Sequence, residues 1–211
     1  MDFRHICTAA MVAKHDLQTA HEALEAGPET QNLRIVFMRH IILEIANIAD
    51  LTTISKGLFK DHRKLGELHK PLSKSLEFFK YIRNVYVGHL VPDLTDKTFE
   101  WMPQANMVIG GTEPDGGITI SWFALETAIN TYADDDGHKI FESDTDLNYP
   151  PDLERFLNFL GETALRSLAY VTQLIEASGD SFDVPDIKAD MIELAMKAGD
   201  TDFKFLRKGK R

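Results

Sequence analysis

Cysteine is nearly absent. Cys7 stands alone in 211 residues, so neither an internal disulfide framework nor a cysteine-only zinc site can form. That suits a reducing cytoplasm, where the chain is expected to work. No run of eighteen apolar residues occurs, so no membrane-spanning helix and no membrane partner are expected. The opening Met1-Asp2-Phe3-Arg4-His5 soon returns to charge without building an apolar stretch, which predicts no signal peptide. Internal repeats and low-complexity tracts are missing as well. Positive charge is short: 23 Lys and Arg against 33 Asp and Glu leave a net −10. That balance argues against sequence-independent nucleic-acid binding over the whole surface.

What is present suffices for one sizeable core, since 44% of the residues are hydrophobic. One main domain is expected over residues 1–178, followed by a linker, a short helix and a basic tail over 179–211. The charge is uneven. Residues 56–83 hold eight Lys and Arg against three Asp and Glu. This basic segment is either a solvated linker or the approach to an anionic ligand.

Most of the chain has helical periodicity. Phe3, Ile6, Ala10, Ala13, Leu17, Ala20 and Leu24 recur at steps of three and four and predict a helix over 3–25, ended by Gly27-Pro28. A second helix is expected over 30–55, with Leu33, Val36, Phe37, Ile41, Ile45, Ile48 and Leu51 on one broad face. The centre of that apolar arc falls on His40, Glu44 and Asn47. Polar groups there need partners, so the trio is read as an internal hydrogen-bonded network or a site wall. His40 and Glu44, four apart, could also share a ligand or a metal. His62 and His69 lie seven apart in the connecting segment 56–70, a spacing that makes a poor metal signal.

A third helix starts after Pro71, with Leu72, Leu76, Phe79, Arg83, Tyr86 and Leu90 in its stripe. Arg83 thus sits in an apolar register, and a buried arginine needs a carboxylate. Glu44 is its expected partner across the helix pair. Over about 95–122 the period changes. Residues 98–102, 107–109 and 118–122 look like strands, and Asp115-Gly116-Gly117 looks like a hairpin turn. The acids between Asp134 and Asp146 do not match a calcium-loop spacing and predict a solvated loop. A long helix follows from Pro150-Pro151-Asp152 to about Ala177, then a short one over 185–198. The fold expected is therefore mainly α: a bundle of about four to five long helices, with a β-hairpin inserted between helices 3 and 4 and a short C-terminal helix. The tail over 203–211 mixes aromatic and basic residues.

The densest chemistry lies in Arg83-Asn84-Val85-Tyr86-Val87-Gly88-His89. Metal-free cleavage of RNA needs a base near the ribose 2′-hydroxyl and a cation for the charge developing on phosphorus-bound oxygens. His89 and Arg83 supply those two roles. On an unbroken helix they would stand about 9 Å and about 120° apart. Gly88 and Pro92 allow a local break, and a second subunit could complete the site across a two-fold axis.

Arg83-Asn84 followed by four residues and His89 resembles the Arg-x(4–6)-His signature of HEPN domains. The order of helices over roughly 3–178 is also similar to theirs. The resemblance implies an all-helical homodimer and a metal-independent endoribonuclease of toxin–antitoxin or abortive-infection type. Arg83 and His89 would then be catalytic, with Asn84 orienting and Glu44, His40 and Asn47 supporting the site. It further implies an RNA substrate, an antitoxin partner, and neither metal nor other cofactor. Some HEPN-like domains serve instead as non-catalytic binding or regulatory modules. The residues themselves also allow that alternative, with Arg83 as a buried salt-bridge residue, His89 near a helix end and Asn84 as an exposed neighbour. A metal- or ligand-binding bundle using His40, Glu44 and His89 is the third reading.

Overall fold

The computed structural model describes residues 3–109, 111, 116–182 and 196–199. Besides a short helical stretch at 196–199, the α-helices among them are α1 (Phe3–Glu25), α2 (Gln31–Ser55), α3 (Arg63–His69), α4 (Ser73–Ile82), α5 (Pro92–Trp101), α6 (Gly116–Thr131) and α7 (Pro150–Gly179). A short 3₁₀ turn, Lys56–Lys60, leads from α2 towards α3.

Local chemistry sets the ends. Gly27, at φ +76°, takes the left-handed position after α1 that a side chain resists. Thr30 caps α2, its hydroxyl accepting the Leu33 N–H at 3.3 Å. Pro150 opens α7 with Asp152 in the first turn.

Packing then arranges the helices. The small residues Ala10, Ala13 and Ala20 are buried, and α1 lies closely along both α2 and α7. Helix α4 packs on the other side of α2. An aromatic cluster seals the far end: Phe78 stands edge-on to Phe79 and Tyr132, and Phe79 stacks on Phe159 at 5.4 Å. The loop before α7 is pinned from α6. Asn130 exchanges two 2.8 Å hydrogen bonds with the Thr145 backbone, and Glu126 accepts the Leu147 N–H at 2.8 Å.

The inserted β-hairpin is wrong: no strand occurs among the described residues. Residues 98–101 close α5, residues 118–122 lie in α6, and between them Pro103–Met107 forms a 3₁₀ turn. Val91 is extended and Pro92 follows it, an arrangement that starts a helix. Within α5, Thr98 then bonds back to the Leu94 carbonyl at 2.7 Å. Leu94 and Thr98 are buried one turn apart, and α5 packs against α6. Helical burial of this face overrides the strand preference of Thr98, Phe99 and Trp101.

Two smaller corrections concern exposure. Leu33 and Val36 of α2 face solvent at 42% and 57%, so the buried arc begins later, with Ile35, Met38 and Ile41. Leu90 is also outside the core. The C-terminal helix expected over 185–198 lies outside the described residues save for 196–199, which are helical, and the basic tail lies outside them altogether.

Candidate active site

The Arg83–His89 stretch is where α4 stops being an α-helix. Arg83–Val87 forms a π-turn, in which each bond spans one residue more than in an α-helix. The Gly88 N–H closes it on the Arg83 carbonyl at 2.8 Å, and Val91 N–H reaches Val85 at 3.1 Å. Gly88 therefore sits one wide turn above Arg83. A side chain there would begin 3.3 Å from the Arg83 carbonyl oxygen, tighter than ordinary contact. His89 follows, off the helix and exposed. Its side chain makes no hydrogen bond or ion pair among the described residues, and Asn84 is likewise exposed.

Arg83 is held, but not by Glu44. Its Nη2 donates to Asp50 Oδ2 at 3.0 Å, and Lys80 Nζ meets the other Asp50 oxygen at 2.6 Å. Lys80 is three residues before Arg83, so the two cations share one face of α4 and grip one carboxylate of α2. Burial alone would raise the Asp50 carboxyl. The hydrogen bonds from Lys80 and Arg83 outweigh it and hold Asp50 below its ordinary range. Arg83 keeps donor capacity: its Nε is buried without an acceptor.

A second arginine braces the turn from α2. Arg39 Nη2 donates to the Val87 carbonyl at 3.2 Å, and its guanidinium lies 5.2 Å from the centre of the Tyr86 ring. Tyr86 is buried and its hydroxyl meets Ser121 Oγ of α6 at 2.6 Å. The last carbonyl of the π-turn and its one buried side chain are thus fixed from two helices.

His40, Glu44 and Asn47 form a group of their own. Asn47 Nδ2 donates to both Glu44 oxygens at 3.2 Å, and Glu44 is only 5% exposed. Burial raises the Glu44 carboxyl; Asn47 and His40 oppose that rise, and Asp16 of α1 adds to it. Possible ligand atoms of Asp16, His40 and Glu44 all lie within 4.8 Å of one another. Two cavities flank this group. One, of about 420 Å³, is walled by Asp16, Arg39, His40 and Val87. The other, of about 490 Å³, takes in Glu44, Asn47 and Asp50.

Of the expected trio, Asn47 hydrogen-bonds Glu44 while His40 lies close to Glu44 without a hydrogen bond to it, and Arg83 belongs to Asp50 and Lys80. Four residues were missed. Lys80 was findable, since it shares a helical face with Arg83. Asp50, Arg39 and Asp16 carry no such signal, because their roles depend on how neighbouring helices align. The chain matches no protein-family model, and no curated protein or solved structure is significantly similar to it.

Proposed function

We propose that the protein is a metal-independent endoribonuclease of toxin–antitoxin or phage-defence type, acting as a homodimer. His89 would take the proton of the ribose 2′-hydroxyl, and Arg83 would stabilise charge on the scissile phosphate, leaving a cyclic phosphate end. The observation that carries this reading is the π-turn. It begins at Arg83, closes on Gly88 and leaves His89 exposed beyond it. Such turns in α-helices are frequent at functional sites. Asp50 orients the arginine, and Asn84 stands exposed beside it. Lys56, Lys60, Lys64, Lys70 and Lys74 of the basic segment have no ion-pair partner among the described residues, which suits an approaching RNA backbone.

The Asp50–Lys80–Arg83 ion cluster also favours a second reading. An arginine spent on a neighbouring carboxylate suits a non-catalytic helical dimer, a binding or regulatory module for a protein such as an antitoxin. One experiment separates the two. Purified protein, shown by light scattering to be dimeric, is incubated with total RNA in excess chelator. Cleavage is expected in chelator and should fall at least about a hundredfold in His89→Ala, the lower range for a lost general base. Intact RNA with folded dimer would leave the binding module as the better reading.

A further inference from the structure

Between α1 and α2 lies a set of side chains to which the proposed cleavage assigns no proton transfer or phosphate contact. Asp16 comes from α1, while His40 and Glu44 come from adjacent turns of α2, and their ligand atoms lie within 4.8 Å of one another. Two donors each about 2.1 Å from an ion lie at most about 4.2 Å apart, so small side-chain adjustments close the set around one centre. Glu44 is buried, and among the described residues no lysine or arginine pairs with it. Asp16 of α1 adds a second carboxylate beside it, and among the described residues neither carboxylate has a lysine or arginine ion pair, with only the His40 imidazole set against them. Arg39, the cation on the same cavity wall, is already committed to the Val87 carbonyl and the Tyr86 ring. Asn47 donates its amide to both Glu44 oxygens, the kind of outer hydrogen bond that orients a ligating carboxylate.

We propose that Asp16, His40 and Glu44 bind one divalent transition ion, of the Zn²⁺ or Mn²⁺ class, that ties α1 to α2. One imidazole and two carboxylates match the ion's charge and chemistry, whereas Ca²⁺ would want six or more oxygens. The cavity of about 420 Å³ beside Asp16 and His40 leaves room for water to fill the remaining coordination positions. The ion is assigned no part in RNA cleavage, although Val87 of the π-turn shares the wall of that cavity.

The test uses the full chain, stripped with chelator and dialysed. Titration calorimetry with Zn²⁺ or Mn²⁺ should find one ion per chain, and saturating ion should raise Tm by about 5 °C or more. His40→Ala should abolish both signals. Glu44→Gln, which removes a buried charge and so should fold well, should also lose them. Asp134→Asn, in the exposed Asp134–His138 loop that offers a rival cluster, should keep both. The proposal is overturned if neither ion binds the wild type, or if binding persists unchanged in Glu44→Gln and His40→Ala. RNA cleavage by the stripped protein, with folding checked by circular dichroism, is read separately, so either conclusion can fail without the other.

Discussion

Asp50 decides how Arg83 is presented. It is half exposed and shared between two cations, so Asp50→Asn should cost only about 1 kcal/mol at neutral pH rather than the several lost at a buried pair. The pH dependence has a definite sign. The folded carboxyl titrates below its ordinary value of 3.8, so its contribution is complete above that value and is lost as pH falls through the depressed one. Urea midpoints of wild type and Asp50→Asn should therefore differ at pH 6 and converge as pH falls through the depressed value. A gap that persists unchanged in acid would mean that the aspartate acts through its shape and not its charge. The need for a carboxylate was legible in the sequence, because Arg83 falls in an apolar register. Which carboxylate was not. Glu44 and Asp50 lie six residues apart on one helix, and only the axial offset between α2 and α4 decides which one the arginine meets.

At the scale of an element, the π-turn is the least ordinary piece of backbone among the described residues. Arg39 is its outside brace, through one hydrogen bond and one ring contact, together worth about 1 to 2 kcal/mol. Arg39→Ala should leave the helices intact but loosen this turn. Amide exchange at Gly88 and Val91, whose N–H groups close it, should quicken by about tenfold, while amides in the middle of α7 keep their rates. Equal acceleration everywhere would assign Arg39 to global stability instead. A break near Gly88 was legible, since glycine and a following proline interrupt a helix in a known way. Its π character was not, because it depends on Arg39 and Tyr86 being held from α2 and α6. The strands expected over 95–122 failed for a related reason. Thr98, Trp101, Ile118 and Ile120 prefer strands in isolation, but α5 and α6 pack against each other as helices, with Thr98 buried and Ile118 and Ile120 half-buried.

Across the whole molecule, stability rests on the shared core of α1, α2, α4, α6 and α7 and on the aromatic cluster at one end. Phe78 is fully buried and meets four aromatic rings, those of Phe79, Tyr132, Phe141 and Phe159. Phe78→Ala should cost about 3 to 5 kcal/mol in denaturant unfolding, and a loss under 1 would mean the neighbouring rings collapse into the space. By itself the sequence determined the helical periods of α1, α4 and α7, much of the apolar core, the lack of disulfides and the apolar register of Arg83. These follow from spacing and composition, which every residue carries with it. Only the tertiary structure decided that residues 95–101 and 116–122 are helical, that Asp50 rather than Glu44 holds Arg83, and that Asp16 meets His40 and Glu44. Local propensities are worth at most about 1 kcal/mol per residue, whereas burying a large side chain is worth about 1.5 to 3. The partner that buries a face, and the polar groups it brings along, lie on another helix whose alignment no local pattern encodes.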